Sequence, residues 1–256
     1  MNPHRTTFRT APRALLAVLA LGVLPAVAPA QSLPSAQQLV DRHVEAIGGR
    51  EAVLAPQSML SKGQFSIPTA GLAGDLEIYQ AQPNMSFTRV NISGLGEIRT
   101  GYNGEIGWTI NPMEGPRVME GMELAALKDE AGTESILRGP KFVESMETVE
   151  QTSMNGEVCY KVKVVWKSGR ESFDCYAVDS GLLIGMQLRN ASPMGVIDVT
   201  VLLSDYKEFG DVSMPTRMSQ QMMGQEQVFT ISSVEFNMVD RGVFELPVEI
   251  RALVTK

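Results

Sequence analysis

The chain has 256 residues, 44% of them hydrophobic, and sets 22 basic against 29 acidic side chains for a net charge of −7. Such a balance argues against nucleic acid as a partner, because phosphates call for clustered Lys and Arg. It argues equally against tight adsorption to an anionic membrane surface.

The first thirty residues read as an export signal. His4, Arg5, Arg9 and Arg13 form a basic leader without one acid, residues 14–24 are an apolar run, and Ala28-Pro29-Ala30 supplies a small-x-small cleavage pattern. The run is too short for a permanent bilayer span, which needs about 20 residues. A lipid-anchored bacterial protein would need Cys at the first mature position, where Gln31 stands instead. Cleavage after Ala30 is expected to leave residues 31–256 as one sheet-rich periplasmic domain with no permanent membrane span. The leader carries three arginines and no acid, so the remainder holds 19 basic against 29 acidic residues, net −10. It keeps fourteen of the fifteen methionines and only one histidine, His43. Met fills irregular space and lines surfaces that accept varied apolar partners; a core that uses Met for Leu would look the same in sequence. Any triad or His-rich metal site would have to use His43.

Ser35-Ala36-Gln37-Gln38 is a capping box, with Ser at the N-cap and Gln three residues on. Behind it Leu39, Val40, His43, Val44 and Ile47 recur at helical spacing until Gly48-Gly49. A second short helix is expected over residues 50–54. His43 sits beside the apolar stripe without a neighbouring acid or nucleophile, which points to a packed or surface residue rather than a catalytic one.

From Ser58 the pattern becomes that of strands. Twelve runs rich in Val, Ile, Thr and aromatics are separated by turn signals: 58–67, 74–81, 84–92, 95–102, 105–111, 144–153, 157–166, 171–178, 182–190, 196–207, 212–223 and 226–237. Asn103-Gly104 and Asn155-Gly156 are hairpin signals. Val212, Met214, Met218 and Met222 share one face of their run, opposite Ser213, Arg217, Ser219 and Gln221. Short turns without crossover helices predict a large curved antiparallel meander. Residues 119–131 and 133–146 lack alternation and predict two short helices lying across one face or mouth of the sheet. The tail after Pro247 reads as a closing edge strand.

Cys159 and Cys175 flank a hairpin built on Lys167-Ser168-Gly169. If Gly169 is the left-handed residue of a three-residue loop, Trp166 pairs with Arg170 and Cys159 with Ala177. Cys175 then lies diagonally on the same face as Cys159. A two-residue turn would put the cysteines on opposite faces and forbid the bond. A structural disulfide is the expectation in an oxidising compartment, contributing up to about 3 kcal/mol.

Motifs of chemistry fail on inspection. Gly94-Leu95-Gly96 has no third glycine and no helix after it, and there is no Gly-x-Ser-x-Gly, Walker or His-Glu-x-x-His pattern. Glu120/Glu123 and Asp129/Glu130 read as solvated helix faces, although two distant carboxylates could still assemble a hydrolase site. No catalytic residue, metal site or cofactor is assigned.

Two segments carry a resemblance. Gln82-Pro83-Asn84-Met85-Ser86-Phe87, then Tyr102-Asn103-Gly104-Glu105-Ile106-Gly107-Trp108-Thr109-Ile110-Asn111-Pro112, resemble the periplasmic lipoprotein carriers of the LolA type. Residues 39–53, 159–183 and 206–218 are similar to the broader group of outer-membrane lipoprotein-sorting proteins. The resemblance implies a mostly β (α+β) fold: a curved, unclosed antiparallel β-barrel of about eleven strands, with an N-terminal helix and a short helical lid over an apolar cavity that shelters acyl chains. In the family an arginine directly before the Pro-Asn holds the lid through hydrogen bonds. Here Gln82 takes that position, and its neutral amide is the expected lid contact.

The functional expectation is a non-catalytic carrier of lipid or lipidated protein. Its candidate ligand-binding residues are Phe87, Ile98, Ile106, Trp108 and Ile110 on the first half of the sheet. Met119, Met122, Leu124 and Leu127 would come from the lid, and Met214, Met218 and Met222 from the far strands. The alternative is a sensor or scaffold of the same fold that binds an envelope protein partner.

Overall fold

Ser35 and Gln38 start the first helix by trading hydrogen bonds: Ser35 Oγ accepts the Gln38 amide at 3.3 Å, and Gln38 Oε1 accepts the Ser35 amide at 2.9 Å. The computed structural model describes Met1 and residues 32–192, 195–222 and 224–255, so the leader sequence otherwise lies outside the described residues. Helix α1 (Ala36–Ala46) turns Leu39, Val40, His43 and Val44 inward, and α2 (Gly49–Leu54) follows after Gly48.

Thirteen strands then form one antiparallel sheet. They are β1 (Ser58–Ile67), β2 (Leu72–Ala81), β3 (Met85–Ile92), β4 (Gly96–Tyr102), β5 (Gly107–Asn111), β6 (Gly115–Val118), β7 (Val143–Met154), β8 (Glu157–Trp166), β9 (Glu171–Ala177), β10 (Leu183–Ser192), β11 (Gly195–Phe209), β12 (Val212–Met222) and β13 (Gln225–Phe236). Their spatial order is β6-β5-β4-β3-β2-β1-β13-β12-β11-β10-β9-β8-β7. Two sequential meanders are thus joined edge to edge by the β1–β13 pair, whose register sets Phe65 opposite Phe229. The sheet is curved and open: among the described residues no pairing closes β6 onto β7.

The long connection from β6 to β7 has to travel from one free edge to the other, so it crosses the sheet's mouth. It carries α3 (Gly121–Glu130) and a 3-10 helix at Thr133–Leu137. This is the helical lid expected from the sequence, but its second helix is shorter than the 133–146 segment, because Val143 already begins β7.

Side-chain alternation divides the sheet into two surfaces. The inner face receives α1, α2 and the lid. Leu39, Val40, Val44, Val162, Val164, Trp166, Tyr176 and Leu183 form its largest buried cluster, with further apolar groups around Leu76, Val90 and Phe65 and around Leu188, Val199 and Val201. The outer face carries a separate cluster in which Phe87 and Trp108 are covered by Phe244 and Ile250. Gly101 makes this possible, since a Cβ there would lie 2.5 Å from the Trp108 ring.

Two readings are corrected. Strand β6 was not expected, because Gly115 and Pro116 look like a turn; Pro is tolerated there because β6 is an edge strand. The tail is not a closing strand: residues Val248–Val254 form α4, which buries Ile250 on the outer face.

The cysteine hairpin follows the three-residue alternative. Gly169 has φ 82°, Trp166 N–H donates to Arg170 O at 2.9 Å, and Cys159 stands opposite Ala177. Cys159 and Cys175 are joined by a disulfide, both fully buried. Among the described residues no helix is long and apolar enough to cross a membrane.

A lidded apolar cavity as the candidate functional site

Between the inner face, α1, α2 and the lid lies a cavity of about 380 Å³. Its walls come from four sources. Strands β10 to β12 give Leu183, Met186, Leu188, Leu203, Tyr206, Met214 and Met218. The β1–β13 seam gives Met59 and Phe236. The helices give His43, Ile47 and Val53. The lid and the strands beneath it give Ile136, Arg138, Trp166, Arg170 and Ser172. Alternation explains the strand contributions: Leu203 pairs with Met218, and Met218 with Phe229, so these side chains project from one surface.

The charged groups of the cavity gather on one flank, while Gln80 and Ser213 add neutral polar groups elsewhere in its walls. Asp174 on β9 is wholly buried and accepts hydrogen bonds from Arg138 Nε at 3.0 Å, Tyr176 Oη at 3.3 Å and Ser172 Oγ at 3.4 Å. Burial opposes the Arg138 charge, but Asp174 outweighs it and keeps the guanidinium protonated. Burial and the Asp174 charge push the Tyr176 hydroxyl well above the ordinary phenol range. Arg138 Nη1 also donates to Ser135 O at 3.0 Å, so the ion pair ties the lid to the sheet.

A second tie runs the other way. Arg170, just past the β8–β9 turn, donates through Nε to Asp129 Oδ2 at 3.1 Å and through Nη2 to Glu130 Oε1 at 2.9 Å, both at the end of α3. Asp129 also accepts from Ser168 Oγ at 2.6 Å. Asp129 is therefore a buried ion-pair partner and not part of a solvated helix face, which corrects the reading of that carboxylate pair. The two guanidinium carbons lie 4.6 Å (Arg138) and 5.4 Å (Arg170) from the Trp166 ring centroid.

Of the twelve residues expected to bind ligand, Met214 and Met218 line the cavity. Met222 and Ile98 are on the inner face but pack into neighbouring apolar clusters. Met119, Leu124 and Leu127 belong to the lid region and pack around Gly107 of β5, whereas Met122 is exposed. Ile106 lies in the β4–β5 turn, where its amide donates to Asn103 Oδ1. Phe87, Trp108 and Ile110 are on the outer face under the C-terminal segment, so the expectation that they face the cavity is corrected. The physical reason is register: Phe87, Gly101 and Trp108 are cross-strand neighbours on the face opposite Tyr102 and Gly107.

Gln82 is also displaced from its expected role. Its amide donates to Leu54 O at 3.2 Å and Pro56 O at 3.0 Å, in the link between α2 and β1, and not to the lid. The lid instead rests its Gly132 directly on the Pro83–Asn84 backbone. The lid-holding arginines are Arg138 and Arg170. Nothing in the sequence singled them out, since each meets its acid 36 to 41 residues away in the chain.

Of the two alternatives left open for His43, packed or on the surface, the structure shows the packed one. Its Nδ1 accepts the Leu183 amide at 3.1 Å. Burial, seconded by the Arg138 charge, lowers its pKa from 6.5 to about 4. Above pH 6.5 the imidazole is neutral folded or unfolded and contributes nothing to pH dependence. Between pH 6.5 and 4 only the unfolded chain takes the proton, so this residue is expected to cost up to about 3 kcal/mol of stability on acidification. Urea denaturation of wild type and His43→Asn across that range checks this; the variant should lack the His43 share of the slope.

No sequence-family model and no curated protein sequence matches the chain. Solved structures do match its fold. A DUF1329 family protein from Desulfovibrio piger superposes with a TM-score of 0.56 at 14% identity, covering 82% of this chain and 96% of its own. A LolA superfamily protein from Nitrosomonas europaea gives a TM-score of 0.54 at 12% identity, covering 84% and 99%. A putative outer membrane lipoprotein-sorting protein domain from Vibrio parahaemolyticus gives 0.54 at 9%, covering 86% and 98%. The chain has the fold of the LolA superfamily and of outer-membrane lipoprotein-sorting proteins.

Proposed function

We propose that the chain is an exported, periplasmic carrier or binder of lipid acyl chains, acting without chemistry of its own. The observation that supports it best is the lidded cavity of about 380 Å³ whose strand walls are mainly Met, Leu and aromatic side chains. Burying acyl methylenes there gains about 0.8 kcal/mol each, and Met adapts to chains of differing length. The volume is near the lower end of the usual range for ligand sites, about 300–1,000 Å³, and suits one chain better than the several chains of a lipidated protein. The lid supplies the means of release: its two buried ion pairs shut the mouth, and parting them opens it. The fold shared with LolA superfamily proteins is compatible with this reading.

Saturable 1:1 uptake of a fluorescent fatty acid by the purified protein is the expected result. Absence of uptake would overturn the reading and favour a module that binds an envelope protein partner.

A further inference from the structure

The polar flank of the cavity has more donors than the protein uses. Arg170 has a side chain only 4% exposed, and it lines the cavity. Its Nε and Nη2 are engaged by Asp129 and Glu130, but Nη1 is buried with no acceptor among the described residues. A buried charged donor left unpaired is costly, and native proteins rarely tolerate one without a reason. Arg138, which meets the same Trp166 ring, adds a second positive charge to this flank.

The acids around these cations are not equivalent. Asp174 and Asp129 are buried and bonded on several sides. Glu130 is 58% exposed and holds Arg170 through one bond. An incoming anion can take its place on Arg170 while Glu130 returns to water, so no buried charge is stranded. From this flank, on β8 and β9, the lining passes through Met186 on β10 to Leu203, Met218 and Met214 on β11 and β12. The cavity therefore sets two guanidinium groups, held among the carboxylates of Asp129, Glu130 and Asp174, on one side and mainly apolar walls on the other.

We infer that the ligand is a single-chain amphiphile with an anionic head, its carboxylate or phosphate on Arg170 and its acyl chain along β10 to β12. This rests on the acyl-carrier reading and narrows it to a chemical class. It also assigns a positioning role to Glu130, as the exchangeable partner whose release accompanies entry of the head.

Calorimetric titration of the purified protein with laurate, dodecyl phosphate and dodecanol, all of equal chain length, tests it. Laurate or dodecyl phosphate should bind at least about tenfold tighter than dodecanol, the gain expected of one charge-assisted hydrogen bond. The tighter of the two anions identifies a fatty acid or a phosphate-headed lipid as the source. Arg170→Gln should bring the affinity ratio of the anions to dodecanol, measured within the variant, down to about one, and Glu130→Gln should widen that ratio. Equal affinity of wild type for all three would overturn the inference and leave the acyl-cavity reading standing, a result that needs no variant to fold. If none of the three binds, the acyl-cavity reading fails with it.

Discussion

Asp174→Ala is expected to lower folding stability by about 3–5 kcal/mol, the largest single effect foreseen for this chain. The carboxylate is wholly buried and is the common acceptor for Arg138, Tyr176 and Ser172. Removing it strands the Arg138 guanidinium, itself only 9% exposed, against the Trp166 ring with no counter-charge. The loss arises less from the pair's own attraction than from the desolvation of the survivor. Replacing both partners together, as Arg138→Met with Asp174→Leu, should therefore recover much of the stability while untying the lid. Urea denaturation reads both effects; a single-variant loss below about 1 kcal/mol would contradict the buried pairing.

Met218→Glu is expected to weaken acyl binding at least about a hundredfold at neutral pH, or about 2.7 kcal/mol. Met218 lines the cavity between Leu203 and Phe229, and a carboxylate there must lose its hydration or admit water. Burial raises the pKa of such a group, so binding should recover as acid neutralises it. Trp108→Ala serves as the contrast. Its ring is packed on the outer face against Phe87 and lies away from the cavity, so stability should fall while affinity holds. Fluorescent fatty-acid titration separates the two, and equal loss of binding in both variants would contradict the assignment of faces.

Much of the architecture was legible in local sequence. The Ser35 capping box, the two hairpin signals and the period-two runs are decided by contacts within a few residues, and twelve of the thirteen strands followed from them. The Cys159–Cys175 bridge was reachable because one loop length fixes the register of its hairpin. Strand β6 escaped because Gly115 and Pro116 carry no strand signal, and an edge position forgives both. The site was harder to read. Alternation tells which residues share a face, but not which of two faces the helices will cover. Met214 and Met218 were found among the cavity walls, because their run is polar on the other side. Phe87 and Trp108 were not, because α4 gives the outer face a core of its own. Arg138 and Arg170 depend on contacts between distant segments, which periodicity does not encode.

The central claim is that this cavity shelters an acyl chain. Native mass spectrometry of the protein exported to and purified from a bacterial periplasm, followed by extraction and identification of what accompanies it, tests that claim most directly. A stoichiometric single-chain lipid, lost in Met218→Glu and retained in Trp108→Ala, is the result expected. A protein that arrives empty and also refuses added fatty acid would contradict it.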